Sequence, residues 1–77
     1  MDRPVAVRIV AGGDDALRLY KRVRCAARAL GIEVIIDEQR GGDSPRLFVD
    51  SRLLLEGLQR TEAIEDALAR WLAERKG

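Results

Sequence analysis

The sequence contains no histidine and only one cysteine, Cys25. Without histidine, the chain lacks the usual base of serine hydrolases and a common ligand of zinc and haem. A single cysteine forms no disulfide within the chain, so no such crosslink stabilises this short protein. These absences argue against disulfide-rich and common zinc-binding domains, and we expect neither a cofactor nor a metal site.

The sequence also lacks an excess of charge of one sign, since 14 basic and 13 acidic residues leave a net charge of +1. So small a net charge gives no general attraction to nucleic acid. No apolar run approaches the roughly 20 residues that span a bilayer, and the N-terminus lacks the apolar core of a signal peptide. We expect a cytoplasmic protein without a membrane partner, folded as a single domain over residues 1–77.

The first half of the chain predicts a strand followed by a helix. Apolar residues alternate over residues 5–10, as in a strand, and Gly12-Gly13 ends this segment. Asp14 or Asp15 is suited to be the N-cap of a helix over residues 16–30. The apolar face of that helix consists of Ala16, Leu19, Tyr20, Val23, Ala26, Ala27 and Leu30.

The second half predicts three strands and a second helix. A strand over residues 32–36 precedes a polar, glycine-containing loop over residues 37–44. Two further strands, 46–49 and 52–56, are joined by a tight turn at residues 50 and 51. Thr61 is expected to cap the last helix, whose apolar face consists of Ile64, Ala67, Leu68, Trp71 and Leu72. The order βαβ–ββα predicts the α/β class, with the first two strands parallel.

Short segments along this pattern resemble a known family. These segments are Ala11-Gly12-Gly13-Asp14-Asp15-Ala16-Leu17, Leu30-Gly31, Ser44-Pro45 and Val49-Asp50. Over nearly its whole length the chain resembles small thioredoxin-like, glutaredoxin-like proteins of the "redox-active disulfide" type. The most specific motif of that family, two cysteines separated by two residues at the start of the first helix, is missing. Asp14 and Leu17 stand at those positions.

The resemblance implies a four-stranded mixed sheet in the order 2-1-3-4, with two helices packed on one face. It also implies a cis peptide bond between Ser44 and Pro45, beside the start of the first helix. Thiol–disulfide exchange requires an attacking thiolate, which neither Asp14 nor Leu17 supplies. The four degenerate redox-site positions, at residues 14, 17, 44 and 45, are therefore not expected to be catalytic.

With both helices on one face, the other face of the sheet is predicted to be uncovered. Larger members of the family place a helix there, but the connection over residues 37–44 is too short for one. The strand alternation assigns to this face Ala6, Arg8, Val10, Glu33, Ile35, Arg46, Phe48 and Leu54. The three charged residues suit a wet surface and are expected to pair across strands.

The apolar residues of this face, Val10, Ile35, Phe48 and Leu54, have two interpretations. An exposed apolar patch often marks an association surface, here for a homodimer or a protein partner. Scattered apolar residues on a half-solvated sheet are the alternative, and they need no function.

Cys25 is predicted to lie opposite the apolar face of the first helix. Cations one turn away, at Lys21, Arg22 and Arg28, favour the thiolate form of an exposed cysteine. A reactive thiol is therefore one hypothesis, and a small residue tolerated in an alanine-rich helix is the other. The same basic helix face, with Arg18 and Arg24, has no exposed aromatic residue for base stacking, which disfavours nucleic-acid binding.

Three functions follow from the sequence. The leading hypothesis is a non-catalytic thioredoxin-like module that acts through protein contacts, by self-association or by docking a partner. The second is a thiol–disulfide redox protein in which Cys25 acts with a cysteine of a partner. The third is binding of nucleic acid or another anion through the basic first helix.

Overall fold

The computed structural model of the protein describes residues 4–42 and 44–76. Asp43, part of the predicted loop, lies outside the described residues. The chain forms four strands and two helices, in the order β1 (Val5–Val10), α1 (Gly13–Leu30), β2 (Val34–Gln39), β3 (Arg46–Val49), β4 (Arg52–Glu56) and α2 (Thr61–Lys76). The prediction of an α/β domain with the element order βαβ–ββα is confirmed.

The strands form one mixed sheet in the order β2-β1-β3-β4. β1 pairs with β2 in parallel, across the connection formed by α1. β3 then pairs antiparallel with β1, and β4 pairs antiparallel with β3. This is the predicted topology, and it places β2 and β4 at the two edges of the sheet.

Both helices pack on one face of the sheet and enclose the apolar core with it. On β1, Val5, Val7 and Ile9 are at most 4% exposed, whereas Ala6 and Arg8 between them are exposed. The helices contribute buried apolar residues at helical spacing, namely Leu19, Val23, Ala26 and Ala27 from α1 and Ile64 and Leu68 from α2. The apolar residues that alternate along the strand and those that form one face of each helix therefore pack into a single core.

The start of α1 differs from the prediction. The helix begins at Gly13, not at Ala16, and its N-cap is Gly12, which makes no side-chain capping hydrogen bond. Gly13 has a φ of 55°, which glycine adopts without steric cost. The chain therefore enters the helix at the two glycines, before either aspartate. Asp14 and Asp15 are therefore not the N-cap but lie in the first turn, where negative charge still favours the helix dipole.

The bounds of β2 also differ from the prediction. The strand spans Val34–Gln39, so Asp37, Glu38 and Gln39 belong to a strand and not to the loop. These polar residues extend the pairing with β1 as far as Val10. Because β2 is an edge strand with exposed side chains, it tolerates charged residues that a buried strand would not.

The β3–β4 hairpin is confirmed, with its turn at Asp50 and Ser51. Both residues have positive φ, 50° and 67°, as a two-residue turn of type I′ requires. The pairing continues regularly to Phe48 opposite Leu53, and then a β-bulge shifts the register by one residue.

α2 closes the fold against α1 and the core. Its first residue is Thr61, and the carbonyl of Arg60 accepts the hydrogen bond of Ile64 N–H. Arg60 is therefore at the N-cap position, and the prediction that Thr61 caps this helix is wrong by one residue. The guanidinium of Arg22 donates to the carbonyl of Gln59 at 2.9 Å and ties α1 to the segment before α2. Among the described residues, no helix has the length and apolar composition needed to cross a membrane.

Candidate functional site: the open face of the sheet

The side of the sheet opposite the helices is the candidate functional site, and we call it the open face. The strand registers place side chains from neighbouring strands side by side on it. Along the sheet from β2 to β4, these are Ile35 beside Ala6, then Asp37, Arg8, Phe48 and Leu53, then Gln39, Val10, Arg46 and Glu56. All ten are exposed or half-buried.

The predicted place of Leu54 on this face is wrong. The two-residue turn sets Arg52 opposite Val49 and Leu53 opposite Phe48, so Leu53 shares the open face with Phe48. Leu54 is half-buried and packs against the core. The bulge at this point then lets Leu55 pair with Leu47 on the core side, which brings Glu56 to the open face.

The open face carries much of the exposed apolar surface of the described chain. Three large apolar side chains are more than half exposed, and two of them, Ile35 at 63% and Leu53 at 52%, lie on this face. The third, Leu17 at 54%, lies on α1. Phe48 and Val10, on the same face, are half-buried. Val10, Ile35 and Phe48 thus lie on one side of the sheet as predicted, but only Ile35 is largely exposed.

Two ion pairs lie among these apolar residues, each between neighbouring strands. Arg8 Nε is 3.5 Å from Asp37 Oδ2, and Arg46 Nε is 3.6 Å from Glu56 Oε2. The side chains of all four are about half exposed or more, so each pair contributes only ~0–1 kcal/mol to stability. Arg8 and Arg46 do pair across strands, but with Asp37 and Glu56, which the prediction did not include. Glu33 is not their partner but lies before β2, where its carbonyl accepts the N–H of Val5.

Four residues of this site were missed by the sequence prediction, namely Asp37, Gln39, Leu53 and Glu56. The alternation of Arg8 and Val10 on β1 already implied equivalent positions two residues apart on β2, so continuing the β2 period past Ile36 would have included Asp37. Counting pairs outward from the Asp50-Ser51 turn would have placed Leu53 beside Phe48. The position of Glu56 depends on the bulge, for which the sequence gives no comparable signal.

The four positions that the family resemblance assigns to a redox site lie around one end of the sheet. Asp14 and Leu17 are in the first turns of α1, just after β1, and Ser44 and Pro45 precede β3, which pairs with the end of β1. All peptide bonds of the described residues are trans, so the implied cis bond before Pro45 is absent. The carbonyl of Pro45 accepts a hydrogen bond from the N–H of Gly57 at 2.7 Å, which fixes the start of β3 to the end of β4.

Leu17 borders a shallow open cleft at this end of the sheet. The cleft, of about 340 Å³, is lined by α1 residues, by Ala11 and by Glu38, Gln39 and Arg40. Leu17 is 54% exposed, so most of its side chain faces solvent. The cleft lining contains no thiol and no imidazole, so it offers no nucleophile of the kind that exchange chemistry uses.

Cys25 and the basic side of α1 form a separate region. Cys25 is a free, exposed thiol, as its helix position predicted. Three of the five cations on α1 have partners: Arg18 lies 3.8 Å from Asp15, Arg22 donates to Gln59, and Arg24 lies over the ring of Tyr20. Within the described part of the chain, no three potential metal-ligating side chains come together.

Comparison with known proteins adds no further assignment. No family model, no curated protein and no solved structure matches this chain. Function is therefore inferred from the residues and their geometry.

Proposed function

We propose that this protein is a non-catalytic, thioredoxin-like interaction module that associates with a second copy of itself through the open face of the sheet. The observation that carries the proposal is the exposure of Ile35 and Leu53 on one side of the sheet, where Leu53 lies beside Phe48. Large apolar side chains exposed on one surface often mark a protein contact.

The charges of the open face favour a second copy over a strongly charged partner. Arg8 is beside Asp37 and Arg46 is beside Glu56, so the positive and negative groups of the face balance. A balanced face has no net field to attract an acidic or basic partner. Alternating charges on neighbouring strands are instead complementary to the same alternation on another molecule.

The size of the face predicts a weak dimer. The four strands have four to six residues each. With strands about 4.8 Å apart and about 3.3 Å per residue, the flat face measures roughly 250–400 Å². A stable interface buries about 800 Å² on each partner. We therefore expect association that depends on concentration and reverses on dilution.

The degenerate redox site supports a role without catalysis. Asp14 and Leu17 occupy the positions where the resembling family has cysteines, and neither side chain attacks a disulfide. The exchange chemistry of the family is therefore not expected, which leaves contact with another protein as the better-supported function.

Two exposed leucines provide a matched test of the interface. Leu53 on the open face and Leu17 on α1 are 52% and 54% exposed, so an aspartate at either position adds the same charge at nearly equal exposure. In sedimentation velocity from about 10 to about 500 μM, we expect the wild type to shift towards a dimer. Leu53→Asp should remain monomeric, whereas Leu17→Asp should behave as the wild type. A wild type that is monomeric throughout, or equal effects of the two variants, contradicts the proposal.

The exposure of Cys25 supports a second candidate, a thiol protein that acts with a cysteine of a partner. This candidate predicts disulfide-linked species that disappear with reductant on a gel, and activity in insulin reduction. Both signals should be lost in Cys25→Ser. Their absence in the wild type removes the candidate.

A further inference from the structure

The half of the open face formed by β3 and β4 has an arrangement that the rest of the face does not. Arg46 and Glu56 lie side by side across these two strands, and Phe48 and Leu53 lie side by side two residues along β3. One pair of neighbours is oppositely charged, and the other pair is large and apolar. If a second copy faces these strands with their order exchanged, each charged residue meets the opposite charge, and each large apolar residue meets another one.

Two copies that face each other can be related by a two-fold axis that runs parallel to the strands, over the line between β3 and β4. Rotation about that axis exchanges the two strands but preserves the position along them. It sets Arg46 against the partner's Glu56, and Phe48 against the partner's Leu53. Opposite charges then meet twice, and so do large apolar side chains.

A dimer centred on the middle of the sheet lacks this complementarity. An axis between β1 and β3 sets Arg8 against the partner's Phe48. It likewise sets Arg46 against the partner's Val10. Charged side chains then face apolar ones and neither ion pair is exchanged, which disfavours this arrangement.

The β1–β2 half of the open face can also exchange its ion pair, but its apolar residues fit less well. An axis between these strands sets Ile35 against the partner's Ala6, and Val10 against the partner's Gln39. Only one large apolar residue then meets another apolar residue. Burying Phe48 and Leu53 together removes more apolar surface from water, so the β3–β4 half is favoured.

We propose that two copies associate through the β3–β4 half of the open face, with Arg46 of each copy paired to Glu56 of the other. This arrangement rests on the proposed function, since it specifies how self-association occurs. It leaves the Arg8–Asp37 pair outside the contact, which makes that pair a matched control.

Charge reversal and mixing test the exchange directly. In the Arg46→Glu variant, two acidic residues face each other in both symmetry-related contacts. In the Glu56→Arg variant, two basic residues face each other in the same two contacts. By sedimentation, each variant should dimerise at least about tenfold more weakly than the wild type. An equimolar mixture of the two should regain a dimer within about threefold of the wild-type affinity, because opposite charges meet again.

The control pair and a double variant complete the experiment. Arg8→Glu and Asp37→Arg should each dimerise as the wild type does, and mixing them should change nothing. The double variant R46E/E56R should form its own dimer but not pair with the wild type, and it keeps the intrachain pair if a single reversal impairs folding. Retained dimers in both single variants, no recovery on mixing, or recovery in the control pair overturns the arrangement. A monomeric wild type overturns the proposed function as well, whereas a dimer insensitive to Arg46 and Glu56 overturns only the arrangement.

Discussion

The two faces of the sheet use the same strands in different ways. On β3, Leu47 is 1% exposed beneath the helices, and the next residue, Phe48, is only half-buried on the open face. On β1, Val7 and Arg8 show the same contrast. The buried residues of the covered face are all apolar, and its charged residues, Glu38 and Arg52, are exposed on the edge strands. The open face combines apolar residues with exposed ion pairs. Packing within the chain explains the first face, and the second retains apolar surface that the fold does not use.

The largest expected effect compares the two faces at adjacent positions. Leu47→Ala removes a fully buried side chain and should cost about 2–5 kcal/mol of unfolding free energy, enough to unfold a marginal domain of this size. Phe48→Ala removes a larger side chain, yet we expect a smaller loss of roughly 1–2 kcal/mol because Phe48 is only partly buried. Urea denaturation in dilute solution, where the protein is monomeric, measures both. Equal losses would mean that Phe48 belongs to the core.

A second comparison uses one arginine from each side of the sheet. Arg22→Met removes a part-buried charged hydrogen bond to the Gln59 carbonyl and should cost about 1–2 kcal/mol. Arg8→Met removes an ion pair whose side chains are at least half exposed, and the expected loss is ~0–1 kcal/mol. Denaturation curves of the two variants, recorded in the same buffer, check the order. A greater loss for Arg8 would show that the open face contributes more to folding than its exposure indicates.

The smallest effect is expected at Cys25, which belongs to neither face of the sheet. Cys25→Ala should change the free energy of unfolding by less than about 0.5 kcal/mol, because the thiol is exposed and alanine favours the helix. Self-association of this variant should match that of the wild type. A dimer lost in Cys25→Ala, or in the wild type on addition of reductant, would move the contact from the sheet to α1.

Periodicity in the sequence predicted the covered face well. The alternation of β1 and the stripes of both helices contain the information directly, because burial selects apolar residues at regular spacing. The resemblance to a known family supplied the strand order. The apolar periodicity and the strand order are each specified by many residues together.

The open face was predicted less accurately because single residues decide its details. Leu54 was placed there and Leu53 was not, since the register depends on the Asp50-Ser51 turn and on the bulge beyond it. Asp37 was assigned to a loop because polar residues in an edge strand resemble loop residues in composition. The helix start was misplaced because glycines, and not the aspartates, occupy the first positions.

The central claim is that the open face contacts a second copy, and the concentration dependence of amide chemical shifts tests it most directly. Spectra of the uniformly ¹⁵N-labelled wild type from about 20 μM to about 1 mM cover the range expected for a small interface. Contact through the β3–β4 half of the face predicts shifts that grow with concentration at Arg46, Phe48, Leu53 and Glu56, and constant shifts at Leu17 and Cys25 on α1. Shifts that do not change with concentration, or changes centred on α1, would contradict it.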